Sequence, residues 1–330
     1  MDSNVLTRPV QDPAVWTSAQ ASKQTFEMPL SAAEIDTLEE CVRNSADKHR
    51  WETTREDFSH PLVVALMQRV WNRLTGGSGV AILAGLTRER FSDDEMERIY
   101  WGLGTHLGEG QPQNPAGDMI GYVQKEEANP SQRGYRSAAE ISMHTDNSEV
   151  VGLMCVQRAE SGGESSLAST LAVHNRIVEQ RPDLLRALYE GYYFWLPEKR
   201  DGVATTDEKL PTFCHIDGKL SCNFAGTYMR KAAELRGETL PADLDEGIDL
   251  FAQLVNGAEL RAEFMLDPGD IMLWNNYVIA HSRRAFEDSP ERKRKLLRLW
   301  LKTEGAMRPV TERFKTRERT LRKMYDRQTG

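Results

Sequence analysis

Residues 260–302, LRAEFMLDPGDIMLWNNYVIAHSRRAFEDSPERKRKLLRLWLK, decide the fold. Four apolar runs of strand length, 260–266, 271–274, 278–283 and 294–302, are rich in branched and aromatic residues, and Asp267-Pro268-Gly269 marks a turn after the first. Toward the N-terminus the pattern continues at 119–124, 150–157, 164–169, 191–196 and 211–224. The last run carries Asp217-Gly218 between two alternating segments, which predicts a hairpin closed by a two-residue turn. A helical insert interrupts the series at about 225–258, most clearly over 240–256. Eight or so short strands in one stretch, with helices around them, predict a mostly β (α+β) chain with a jelly roll or closed barrel at about 119–304.

Helices come before the strands. Ser31 with Glu34, and Ser92 with Glu95, are capping boxes ahead of apolar residues at helical spacing, and Pro61 opens an amphipathic stretch that Gly76-Gly77 ends. The first 30 residues are polar and contain proline, so an arm or edge is expected there, with one domain over 31–330. The basic tail, 308–327, reads as a solvated terminal helix.

Composition narrows the function. A net charge of −8 with interspersed signs opposes a nucleic-acid binder, which needs a basic surface, and points to a small-molecule partner. Cys41, Cys155, Cys214 and Cys222 show no paired spacing, which suits a reducing compartment. No apolar stretch approaches the ~20 residues of a membrane span, so a cytoplasmic protein is expected, with homo-oligomerisation left open.

In Met143-His144-Thr145-Asp146 the histidine and aspartate are two residues apart, so on an extended strand both project from one face toward one point. Two imidazoles and a carboxylate make a facial triad that leaves coordination positions open, as iron(II) oxygenases require. His281, late in the strand series, is the candidate third ligand. His215-Ile216-Asp217 has the same spacing, but Asp217 begins the hairpin turn, where its carboxylate has a local role. Downstream, the even positions 294, 296, 298 and 300 share one strand face, and two of them are Arg294 and Arg298. An arginine on an inward face is costly unless it meets an anion, and its planar fork matches a carboxylate. A non-catalytic binding protein and a zinc hydrolase are the alternatives. Arg294 together with Ser165 counts against the hydrolase, which needs neither O2 nor a dicarboxylate clamp.

These residues together resemble the taurine dioxygenase (TauD/TfdA) family of iron(II)/2-oxoglutarate oxygenases. The marks are His144-Thr145-Asp146, Ser161-Gly162-Gly163-Glu164-Ser165, Pro268-Gly269-Asp270, Trp274-Asn275-Asn276 ahead of His281, and Arg294 with Arg298. The resemblance implies a double-stranded β-helix (jelly-roll, cupin-like) core, with Fe(II), 2-oxoglutarate and O2 as cofactor and co-substrates. It assigns His144, Asp146 and His281 to the metal and Arg294 with Ser165 to the distal carboxylate of 2-oxoglutarate, Arg292 being the rival of Arg294. It gives Arg298 to an anionic group of the prime substrate. Glu140 is read as facing a substrate ammonium, so that an amino acid is the expected substrate, and Tyr122 and Asn223 as facing the pocket. Hydroxylation is the expected outcome, and the loops 108–118 and 125–139 are expected to shape the pocket.

Overall fold

The computed structural model describes residues 4–114, 117–125, 137–197, 199, 202–305 and 307–321. Most of the loop 125–139 and the end of the basic tail lie outside the described residues. Fifteen strands are present among the described residues. The larger sheet contains β1 (Glu27–Pro29), β2 (Val80–Ala84), β3 (Glu109–Gly110), β4 (Gly121–Val123), β6 (Val150–Gln157), β12 (Ile271–Asn275) and β15 (Lys295–Lys302). Its order is β1-β2-β12-β6-β15-β3, with β4 also on β15. The smaller sheet contains β5 (Ile141–His144), β8 (Ser165–Ser169), β11 (Arg261–Phe264) and β13 (Ile279–Arg283), in the order β11-β8-β13-β5. Two ribbons complete the set, β7 (Ser161–Gly162) with β14 (Phe286–Glu287), and β9 (Phe213–Ile216) with β10 (Lys219–Cys222). This is the double-stranded β-helix with helical flanks.

Helices cover the outer faces of both sheets. Helix Pro61–Gly76 buries Val63, Leu66, Met67, Val70 and Leu74, one stripe at helical spacing, against β2 and β12. Helix Asp93–Gly104 lies on β6 and β15, and helices Thr170–Gln180 and Ala242–Asn256 lie on the smaller sheet. The capping boxes form as the sequence predicts: the Ser31 and Ser92 backbone N–H groups each donate to the glutamate three residues on, both at 2.8 Å. Asp217 takes φ 49° and Gly218 φ 74°, the left-handed pair that a tight hairpin requires.

Two expectations change. Residues 191–196 form no strand, because Tyr192 and Trp195 make only isolated bridges to Leu210 and Thr205. The C-terminal segment turns helical over 313–321 as expected but is not solvated: Met307, Arg308, Phe314, Thr316 and Thr320 are buried, and Arg308 pairs with the Asp12 carboxylate at 2.9 Å. Near the N-terminus Leu6, Val10, Ala14, Trp16 and Phe26 are buried, and β1 adds a parallel edge to β2. Among the described residues no helix is long and apolar enough to cross a membrane.

Candidate metal and co-substrate site

His144 ends β5 and His281 is directly opposite it on β13, so the pairing register alone brings the two imidazoles together, with ring centres 4.4 Å apart. Asp146 follows two residues later. Its Oδ1 lies 3.6 Å from His144 Nε2, and its Oδ2 lies 3.5 Å from His281 Nε2. Ligand atoms of the three residues all lie within 4.8 Å of one another, a separation that suits three donors sharing one metal ion. Among the described residues this is the one such group of histidine, cysteine or carboxylate side chains, and the His215/Asp217 pair does not form another.

The surroundings fix the ligand atoms. His144 Nδ1 is 2.8 Å from the Ser142 carbonyl, which can only accept, so Nδ1 carries the ring proton that donates to it and Nε2 is the nitrogen turned toward Asp146. The His281 ring packs 4.7 Å from the indole of the fully buried Trp274. Burial, then the neighbouring His144, pushes His281 down to about 4, so its ring is neutral near pH 7. Burial alone would raise the Asp146 carboxyl, yet the neighbouring Arg298 guanidinium, the largest opposing influence, holds it well below the usual carboxylate range. Trp300 Nε1 donates to Asp146 Oδ2 at 2.9 Å.

Asn276 holds the backbone here. Asp146 N–H donates to its Oδ1 at 3.0 Å, while its Nδ2 donates to the carbonyls of Asp146 and Ser148 at 2.8 and 2.7 Å. Thr145 completes the anchorage, its N–H donating to Phe224 O and its Oγ1 accepting from Phe224 N. The sequence flagged Asn276 only as part of a motif and did not single out Trp300, although strand parity with Arg298 places the indole on the same face.

Arg294 precedes β15 and is 3% exposed. Its Nη1 reaches Val123 O at 3.4 Å, its guanidinium lies 5.1 Å from the Phe286 ring centre, and no carboxylate is within ion-pair distance among the described residues. Burial, then the charge of Arg283, lowers it to about 9. Arg283 shares the ring of Phe286 and donates to the carbonyls of Ser137 and Ala139. Gly162 and Gly163 take φ 70° and 82°, and a Cβ on Gly163 would stand 3.0 Å from Arg294 Nε, so the double glycine lets the backbone pass against the guanidinium. Ser165 opens β8 opposite Arg283, as Leu167 stands opposite His281, so the buried serine shares the inner face. Arg292 points outward, its side chain 64% exposed and near Glu160.

Two predicted contacts fall elsewhere. Tyr122 pairs with Leu297 rather than Arg298, so it faces outward, and its hydroxyl donates to Glu97 on helix Asp93–Gly104 at 3.1 Å. Glu140 is half-exposed and pairs with Arg284 at 3.2 Å. The register irregularity between the pairs His281–His144 and Arg283–Ile141 breaks the two-residue parity that would have turned it inward.

Beside Asp146 a cavity of about 430 Å³ opens, lined among others by Gln113, Asn223, Trp300, Phe314 and Arg317. Arg298 adjoins it, with Nε donating to Gln113 Oε1 at 2.9 Å, its guanidinium 4.2 Å from the Trp300 ring centre and Nη1 3.9 Å from Asp146 Oδ2.

The sequence profile of the family described as "Taurine catabolism dioxygenase TauD, TfdA family" matches residues 25–300. The chain belongs to this family of iron(II)- and 2-oxoglutarate-dependent dioxygenases. FR-33289 synthase of Streptomyces rubellomurinus is 27% identical over 317 residues, covering 91% of this chain and 92% of that protein. The taurine hydroxylase-like protein SAT17 of Stachybotrys chartarum is 27% identical over 88% of this chain and 79% of that protein. Among solved structures, asparagine oxygenase with Fe(II), 3-hydroxyasparagine and succinate superimposes with a TM-score of 0.65 at 14% identity, over 84% of this chain and 93% of that one. The non-heme iron oxygenase OrfP with Fe and alpha-ketoglutaric acid gives 0.62 at 13% identity, over 84% and 94%.

Proposed function

We propose that this dioxygenase hydroxylates an unactivated C–H bond of a small anionic or zwitterionic molecule of amino-acid size, with His144, Asp146 and His281 holding Fe(II) and Arg294 with Ser165 holding the distal carboxylate of 2-oxoglutarate. The observation that carries this reading is the pairing of a convergent two-histidine, one-carboxylate group with a buried arginine that has no carboxylate partner among the described residues. A guanidinium so placed is stabilised when a carboxylate meets its fork.

Bound together, iron and 2-oxoglutarate supply the activation of O2, with succinate and CO2 as the co-product pair. The chain's own residues set the stage. The Ser142 carbonyl fixes the His144 tautomer, Trp300 and Arg298 keep the Asp146 carboxylate ionised and oriented, and Asn276 holds the backbone that carries it. Arg298, bonded to Gln113 on the cavity wall, is read as a contact for the substrate group nearest the metal, and Asn223 as part of the pocket lining. Amino-acid size is supported by the hydroxylated asparagine and arginine held by the structurally similar oxygenases. With Glu140 outside the pocket, the ammonium contact expected from sequence has no counterpart there.

The test is succinate formation from 2-oxoglutarate with purified protein, Fe(II) and O2, across a panel of amino acids and small organic acids. The reading predicts that succinate requires both iron and O2, rises when a substrate is present, and vanishes in His144→Ala and His281→Ala. Succinate production that survives loss of either histidine contradicts it.

A further inference from the structure

The wall of the cavity beside Asp146 carries a charge pattern that the metal site does not explain. Its acidic residues are Glu109, Asp146, Glu149 and Glu318, and its cations are Lys302, Lys315 and Arg317. Most of these are accounted for. Lys302 pairs with Glu318. Glu149 accepts from Tyr277 Oη at 3.2 Å, from Thr303 N at 2.9 Å and from the Thr303 hydroxyl. Asp146 faces the two imidazoles and Trp300, and Glu109 is exposed.

Lys315 and Arg317 remain. Neither has a carboxylate within ion-pair distance among the described residues, and Arg317 Nε is buried with no hydrogen-bond partner. Both are partly buried rather than free in solvent. The segment that carries them is fixed on three sides. Phe314 is 3% exposed with its ring 5.6 Å from that of Tyr277, Arg313 donates to the Glu190 and Lys209 carbonyls at 2.6 and 3.3 Å, and Thr311 N–H donates to Cys214 Sγ. The Arg317 guanidinium lies 5.2 Å from the Tyr228 ring centre. Two partly buried cations on the wall of one cavity, neither with a carboxylate partner among the described residues, suit the binding of an oxyanion.

We infer that Lys315 and Arg317 bind an oxyanion on the prime substrate, a carboxylate, sulfonate or phosphonate at the end remote from the carbon that is oxidised. Specificity is therefore set partly by the C-terminal segment. The inference rests on the cavity beside Asp146 being the substrate site, and it adds the charge and position of the substrate's far end.

The probe is propylphosphonate, with n-butanol as the neutral control, titrated calorimetrically into the full chain without metal. Three variants are compared with the parent: Lys315→Met, Arg317→Gln and Arg294→Leu. The parent binds the phosphonate, each of the first two variants weakens binding roughly tenfold, and Arg294→Leu leaves it in place. Butanol does not distinguish the variants. Two outcomes overturn the inference: no phosphonate binding by the parent up to about 10 mM, or binding lost in Arg294→Leu and kept in Lys315→Met and Arg317→Gln. The metal reading is separated by a second measurement, the visible charge-transfer absorption of the anaerobic Fe(II)–2-oxoglutarate complex. Absence of that band with phosphonate binding intact rejects the iron assignment and leaves the oxyanion site standing.

Discussion

At the scale of single residues, Arg294 is a buried cation whose charge no carboxylate among the described residues meets. It is 3% exposed, beside a second buried guanidinium, and among the described residues its side chain makes one long hydrogen bond, to a carbonyl. A structural arginine in a core would face a carboxylate; this one faces none among the described residues. Arg294→Leu is therefore expected to weaken 2-oxoglutarate binding by about 3 kcal/mol, roughly a hundredfold in Kd, while leaving Fe(II) affinity unchanged and the melting temperature of the ligand-free chain equal or higher. Thermal unfolding alongside 2-oxoglutarate titration checks both parts, and a large loss of stability would mark the residue as structural instead. Arg294 was legible in the sequence because a cation on an inward strand face is conspicuous against an apolar background. Arg317 was not, because nothing in a basic tail says which of its cations the fold turns inward.

At the scale of elements, the site depends on one pairing register and one loop. β5 and β13 set the two histidines opposite each other, and Asn276 clamps the turn that presents Asp146 through three hydrogen bonds. Asn276→Ala removes all three, and outer partners of metal ligands typically matter by about 10- to 100-fold in metal affinity. The variant is expected to lose Fe(II) affinity by that order and stability by about 2 kcal/mol, read by metal titration and by denaturant unfolding. Unaltered iron affinity would show that the loop holds its shape without the amide. The sequence made the His144–Asp146 pair visible because strand parity is strict over two residues. Glu140, which the family resemblance set near the substrate, falls outside because the register shifts by a bulge before it, and bulges leave no reliable mark in the order of residues. Tyr122 was read as facing the pocket with no register to fix its side, and its pairing with Leu297 turns it outward.

At the scale of the whole molecule, the segments around Asp12 and Arg308, near opposite ends of the described residues, meet on the core. Arg308 and Asp12 form a buried pair, and Lys23 bridges Glu27 and the buried Asp270 in the turn before β12. Neither contact was legible, since composition identified the ends as polar without saying that Trp16, Phe26 and Phe314 would be covered. The interior also holds histidines that resist protonation. His174 is fully buried, and burial pushes it down to about 4, below the 6.5 it takes when the chain is open. Between these values the unfolded chain binds the proton and the folded chain does not. Stability is therefore full above about pH 6.5 and falls as pH drops toward 4, with His174 accounting for about 3 kcal/mol of the loss. Unfolding of the metal-free protein across that window checks the sign. His174→Leu flattens the acid limb, and an unchanged limb would exclude this histidine as its source.

The most direct test of the assignment is an anaerobic titration of the purified chain with Fe(II) and then 2-oxoglutarate, followed in the visible. If His144, Asp146 and His281 hold the metal and Arg294 receives the far carboxylate, a charge-transfer band grows to one equivalent of iron, is absent in His281→Ala, and needs much more 2-oxoglutarate in Arg294→Leu. A band of full intensity and unchanged 2-oxoglutarate dependence in both variants would contradict the account.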